Sequence, residues 1–245
     1  MHNPKVLIAC EESQRVCTAF RERGIEAYSC DIQECSGGHP EWHIMGDCLP
    51  LLNGRCEFYT MDGTRHYVGR RWDLIIAHPP CTHIANSGAR HFEKKRRSGE
   101  QKAAIRFFAA ILSADCERIV IENPMGIMSG NYIREHYPDL CEQFALPVKP
   151  TQIIQPWQFA VSVMDNTEKT TGLWIVGNLP MLEPRHRERP EIEYFEWIDK
   201  QGRKKRQTMW YYRTRCMSGE ARAKEASRTF LGIAKAMAEQ WGGLL

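Results

Sequence analysis

Trp72-Asp73-Leu74-Ile75-Ile76-Ala77-His78-Pro79-Pro80-Cys81 reads as a buried strand that stops against a rigid loop carrying one cysteine. The apolar run after Asp73 supplies the strand. The two prolines fix φ and remove two backbone donors, so pairing cannot continue and Cys81 is held just beyond the strand's C-terminal edge. Ligands of open α/β sheets bind at that edge, so a thiol there is placed as a nucleophile. A second strand, Arg118-Ile119-Val120-Ile121, runs into Glu122-Asn123-Pro124 and brings a carboxyl group to the same rim.

Working outward, the same alternation recurs. Lys5–Ala9 is a short apolar run, Val16 and Phe20 lie one helical turn apart, Gly24 can cap that helix, and Glu26–Cys30 is a further strand candidate. The strand at Asp73–Ala77, a helix near Gln101–Leu112 and the strand at Arg118–Ile121 repeat the unit, which implies a mainly parallel, doubly wound sheet. Gln152–Gln155 and Leu173–Val176 have no helix-length segment between them, so they fit an antiparallel pair at one sheet edge. The chain divides into a principal domain over 1–179, a small insertion over 180–227, and a closing amphipathic helix within 228–245 that docks on an apolar surface.

The 245 residues suffice for one well-buried α/β domain with a small insertion. No apolar run is long enough to span a bilayer and no leader pattern stands at Met1, so the expectation is a cytoplasmic chain without membrane contact. Ten cysteines in a reducing compartment argue for buried or reactive thiols over a disulfide framework. Cys30, Cys35, His39 and His43 have spacing that could suit zinc, but Asp31 sits inside the group, and no metal is expected. The net charge is only +3, yet Lys200–Arg215 holds Lys204, Lys205 and Arg206 among other bases, no acid, and Trp210, Tyr211 and Tyr212. That mixture suits a polyanion such as nucleic acid; a solvated hairpin turning at Gln201-Gly202, with its aromatics packed on the domain, is the alternative.

Taken in order, Asp31, Gly46-Asp47, Asp73–Cys81, Ile121-Glu122-Asn123-Pro124 and Arg228–Trp241 resemble the ordered motifs of DNA cytosine-5 methyltransferases, most closely the small, often phage- or prophage-encoded branch. The resemblance implies a Rossmann-like S-adenosylmethionine-dependent methyltransferase fold. It implies Cys81 as nucleophile, with Glu122 and Asn123 engaging the cytosine. Cofactor contacts would fall on Cys10, Glu11, Asp31, Ile32, Asp47, Cys48 and Pro79. The chemistry wants these groups independently: a thiolate adding at carbon 6 of cytosine turns carbon 5 into a nucleophile, and a carboxyl at ring N3 draws charge into the ring. Cytosine must leave the stack, so the partner is duplex DNA with a flipped base, or a single strand. Arg90, Lys94, Lys95, Arg96 and Arg97 could meet phosphates over such a base, with His78, His83 or Arg90 supplying positive potential to the thiol. No obligate protein partner is evident.

Two departures from the family pattern stand out. The glycine-rich turn after the first strand is replaced by Cys10-Glu11-Glu12-Ser13, whose side chains restrict backbone approach. The Gln-x-Arg-x-Arg element is replaced near Gln152–Gln158, where Lys169 or a later arginine could substitute. Alternative readings are an amino methyltransferase acting on N4 of cytosine or N6 of adenine, an enzyme modifying carbon 5 of a free pyrimidine nucleotide, and a catalytically inactive nucleic-acid-binding protein.

Overall fold

The computed structural model describes residues 3–245; Met1, where the leader expectation falls, lies outside them. The strands are β1 (Lys5–Ala9), β2 (Glu26–Asp31), β3 (His43–Met45), β4 (Cys56–Tyr59), β5 (Arg65–Val68), β6 (Leu74–Ala77), β7 (Ile119–Pro124), β8 (Gln152–Ile154), β9 (Thr171–Val176), β10 (Tyr194–Ile198) and β11 (Lys204–Thr208). The helices are α1 (Arg15–Arg21), α2 (Phe92–Arg97), α3 (Glu100–Leu112), α4 (Asn131–His136), α5 (Pro138–Phe144), α6 (Met209–Cys216), α7 (Gly219–Ser227) and α8 (Leu231–Trp241).

Seven strands form one sheet in the order β3-β2-β1-β6-β7-β9-β8, parallel from β3 to β7. β9 runs antiparallel to both β7 and β8, with Glu122 opposite Leu173 and Ile153 opposite Gly172. This is the mostly parallel doubly wound sheet with an antiparallel edge pair that the sequence predicts. β1, β6 and most of β7 are buried on both faces, which is why they read as unbroken apolar runs. One face carries Leu7, Tyr28, Ile75 and Ile121 under Phe108 of α3. The other carries Val6, Ile8, Leu74 and Val120 under α1 and α8. Each large apolar side chain so withdrawn contributes roughly 1.5–3 kcal/mol.

α1 ends where the sequence places its cap: Gly24 has φ +76° and its amide donates to the Arg21 carbonyl at 2.9 Å. α8 buries Ile233, Met237 and Trp241, and the Trp241 indole donates to the Pro180 carbonyl at 2.9 Å. A Cβ at Gly232 would lie 1.9 Å from the Phe159 carbonyl oxygen, so this helix seats directly on backbone. Within 180–227 the basic segment forms the β10–β11 hairpin around Gly202, followed by α6 and α7. Among the described residues no helix is long and apolar enough to cross a membrane.

Candidate functional site

The strand ends meet as the Pro-Pro and Glu-Asn-Pro punctuation requires. β6 delivers His78-Pro79-Pro80-Cys81 and its neighbour β7 delivers Glu122-Asn123-Pro124 in parallel register. Asn123 Nδ2 donates to the Pro79 carbonyl at 2.6 Å and His78 Nδ1 lies 2.9 Å from Glu122 Oε2. The two loops stay together beyond the strands through an Ala85–Gly126 bridge and an Ile127 amide donating to the Ile84 carbonyl at 2.9 Å. Gly126 is required there, because a Cβ would meet the Ile84 oxygen at 2.1 Å. Gln101 of α3 braces the loop from below by donating to the His83 carbonyl at 3.0 Å, while Tyr137 donates to Gln101 at 2.8 Å.

Glu122 is 7 % exposed. Thr229, just before α8, completes its surroundings: its hydroxyl donates to Glu122 Oε2 at 3.4 Å and lies 3.2 Å from His78 Nδ1. Burial pushes the Glu122 carboxyl up, but the hydrogen bond and charge of His78, the charge of Lys169 and the Thr229 hydroxyl outweigh it and hold the group below its ordinary value. His78 Nε2 is buried and has no hydrogen-bond partner among the described residues.

Cys81 is half-buried, and burial pushes its thiol above the usual value. Lys169 and Lys95 pull it back and the Glu122 charge adds to the rise. The cations that act on the thiol are therefore these two lysines, and Lys169 acts on Glu122 as well. Lys169 is held by donation to the Ala226 carbonyl at 2.9 Å and lies 5.7 Å from the Phe230 ring centroid. Lys95 donates to the Thr82 carbonyl.

Two cavities open at this rim. One, of about 370 Å³, is lined by Cys81, His78, Thr229, Glu12 and Arg228 among others. The second, of about 580 Å³, lies between the ends of β1–β3 and α3 and is lined by Asp31, Ile32, Asp47, Cys48 and Phe107 among others. Cys10, Asp31, Gln33 and Pro80 line both, so the two adjoin. Ile32 is 75 % exposed, an apolar surface presented without a partner side chain. Burial raises the Asp31 carboxyl, and the Gln33 amide, donating to Oδ1 at 2.9 Å, counters it. Pro79 is buried and serves Asn123; its neighbour Pro80 faces the cavities.

The turn after β1 holds two non-glycine residues in a strained conformation. Cys10 has φ +60° and Gln14 φ +57°, the left-handed region that favours glycine and costs another residue about 1 kcal/mol. Glu11 turns inward and caps α1, Oε1 accepting from the Val16 amide at 2.6 Å and Oε2 from the Cys17 amide at 3.1 Å. Burial raises its carboxyl, with His78 and the two amides opposing. Cys10 lies against Cys48, which together with burial lifts the Cys10 thiol well above its usual value.

The remaining sequence candidates scatter as follows. Arg90, Lys94 and Arg97 are exposed, Arg97 paired to Glu93 and Arg96 to His136 at 3.1 Å. Lys204, Lys205 and Arg206 are exposed on β11, whereas Trp210 is half-buried with its ring 5.1 Å from that of Phe230. His43 is buried between Ser29 Oγ at 2.8 Å and the Gln33 carbonyl at 2.9 Å, and His39 stacks on Trp42. Among the described residues no group of three or more His, Cys, Asp or Glu side chains could hold a metal ion. Thr229, Glu12 and Arg228, which line the smaller cavity, were not among the sequence candidates; the second of two adjacent glutamates after β1 was the signal for Glu12.

No protein-family model matches the chain, and no curated protein matches it. Among solved structures it is similar to a candidate DNA modification methyltransferase encoded within a prophage (E. coli), at 13 % identity and a TM-score of 0.44. The match covers 80 % of this chain and 58 % of that one, so this chain spans somewhat more than half the length of the structure it matches.

Proposed function

We propose that the chain transfers a methyl group from S-adenosylmethionine to carbon 5 of cytosine in DNA through a covalent adduct at Cys81. The observation that carries this reading is that one cavity takes the Cys81 thiol on its wall and Glu122 immediately behind His78 and Thr229, beside a second cavity fit for a nucleoside. The donor set suits the cofactor: Asp31 offers a carboxylate for a ribose diol and Ile32 an apolar face for a base. When bound, S-adenosylmethionine supplies an electrophilic methyl group.

The residues do the rest. Cys81 adds as thiolate at carbon 6, and the electron pair passes to carbon 5, which takes the methyl. Glu122, ionised before the base enters, takes up a proton from solvent as the base displaces water and donates it to ring N3 as the thiolate adds. Solvent water takes the carbon 5 proton, which restores the double bond and expels the thiolate. Lys169, whose charge acts on both groups, lowers the cost of forming the thiolate and of keeping the carboxylate buried. Asn123 positions the Pro-Pro-Cys loop through Pro79.

The test is mass spectrometry of nucleosides from duplex and single-stranded DNA incubated with methyl-labelled S-adenosylmethionine and either the native chain or Cys81→Ala. Labelled 5-methylcytosine from the native chain alone is expected. A methyl on nitrogen that survives Cys81→Ala would replace this reading by amino methylation, and no label in either form of DNA would reject DNA as the substrate.

A further inference from the structure

The β10–β11 hairpin has two unlike faces. Opposite residues of an antiparallel pair share a face, and successive residues alternate between faces. Glu196 opposite Arg206 and Ile198 opposite Lys204 therefore lie on one side, with Phe195 opposite Gln207 and Trp197 opposite Lys205 on the other. The rings of the second side form a ladder. Trp197 and Phe195 stack with centroids 6.0 Å apart and planes 27° from parallel, and Phe195 stacks in turn on Tyr212 of α6 at 3.8 Å and 13°.

Trp197 ends the ladder in solvent. It is 36 % exposed, and among the described residues its ring has no ring neighbour other than Phe195. A recess of about 350 Å³ borders it, lined also by Ile198, Lys204, Lys205, Arg206 and Glu196. Two cations of this segment are engaged, Arg203 by Asp199 at 2.8 Å and Arg206 over the Tyr194 ring at 4.5 Å. Lys204 and Lys205 are exposed and neither makes an ion pair among the described residues, although the Lys205 charge reaches Asp199.

An open indole face backed by further rings, with two unpaired ammonium groups beside it, complements a polyanion whose own rings can stack. In a duplex every internal base face is covered by its neighbours, and a two-stranded ribbon in the major groove reads base edges with polar side chains. For that task the ladder face offers only Gln207 and Lys205. In an unpaired strand the base faces are free. The root of the hairpin is also tied beside the rim: the Thr167 hydroxyl donates to Thr208 and the Tyr194 hydroxyl to Glu168, each at 2.8 Å, and Lys169 follows directly in the chain. The five-residue strands put the ladder at most roughly 17 Å from that root.

We propose that Trp197 and Phe195, continued by Tyr212, form a platform on which unpaired bases of a DNA strand stack while its phosphates meet Lys204 and Lys205. The substrate is then an unpaired stretch of DNA led from the hairpin to Cys81. This rests on DNA being the substrate, as the reading of the reaction has it.

The experiment measures, by fluorescence anisotropy at one salt concentration, binding of the whole chain to one mixed-sequence DNA oligonucleotide, single-stranded or annealed to its complement. The native chain is expected to hold the single strand more tightly. Trp197→Ala should weaken the single strand on the order of tenfold and the duplex hardly at all. Trp197→Phe, which keeps a ring, should restore most of that loss, and Lys205→Ala should weaken both forms alike; thermal melting checks that each variant folds. Equal loss on both forms with Trp197→Ala, no loss on the single strand, or a native chain that prefers the duplex would overturn the platform. Nucleoside mass spectrometry separates the two readings. 5-Methylcytosine formed without any effect of Trp197→Ala on affinity overturns the platform alone, whereas the expected affinities with no 5-methylcytosine overturn the reaction and leave the platform standing.

Discussion

The rim that carries Cys81 and the hairpin that carries Lys204, Lys205 and Arg206 are built on opposite terms. At the rim, side chains bond across strand ends: Asn123 to Pro79 at 2.6 Å, His78 to Glu122 at 2.9 Å, Gln101 to His83 at 3.0 Å. On the hairpin the basic side chains of Lys204, Lys205 and Arg206 are exposed, and the anchoring runs through other residues: Thr167 to Thr208 at 2.8 Å, Tyr194 to Glu168 at 2.8 Å and the Phe195–Tyr212 stack at 3.8 Å. Bond-forming chemistry needs reacting atoms held within fractions of an ångström, whereas attraction to a phosphate backbone falls off slowly and tolerates loose charges. One region is fixed by its contacts and the other leaves its charged side chains exposed to solvent.

The sharpest break of that contrast comes at Cys81. Presented with DNA containing 5-fluorocytosine, the native chain should stall as a covalent complex, since fluorine cannot leave carbon 5 as a proton does; Cys81→Ala should give none, as read by intact mass. Next in size is Glu122→Gln, for which a loss of about 10²–10⁴ in turnover is expected. Its stability has a sign that can be worked out. The folded carboxyl is held below its ordinary value, so it stabilises the fold above the unfolded value near ~4.3 and that contribution is lost as pH falls through the folded value. Native and Glu122→Gln melting temperatures should therefore differ at neutral pH and converge below about pH 4.

A smaller effect is expected from Lys169→Met. Removing this charge should move the alkylation profile of Cys81, followed by peptide mapping with iodoacetamide, further into the alkaline range, because burial already raises the thiol and Lys169 is the largest opposing influence. Smallest is the hairpin pair: Lys205→Ala and Arg206→Ala should each weaken DNA binding alike on all sequences and reduce the salt slope by about 1. A loss confined to one DNA sequence would show that the hairpin reads bases, and the contrast drawn above would fall.

Most of the sheet was legible because its central strands are buried on both faces and punctuated by proline. β6, β7 and the β8–β9 pair appear within a few residues of the runs that announce them. β3 and the β4–β5 hairpin were not read: they are short and partly exposed, although Asp62-Gly63 at the turn was a usable sign. At the rim, Cys81 stands out in the sequence because two prolines separate it from the apolar run of β6, and Glu122 because it interrupts the apolar run of β7. The source of positive potential does not stand out. His78 is spent on Glu122, and Lys169 reaches the thiol only through the packing of a distant segment. Trp210 reads as a stacking platform because aromatics among bases suggest one; its ring is half-buried beside that of Phe230.

Thr229 contacts His78 across 151 residues and Glu122 across 107. Closing so large a loop is entropically costly and forms late relative to local contacts. During synthesis, then, a chain that already displays its thiol and its carboxyl on the ribosome still lacks the hydroxyl that binds Glu122 and His78. The wall of the smaller cavity is completed only when the stretch around residue 229 has emerged and docked. Timing, as well as geometry, decides when the surroundings of Cys81 are complete.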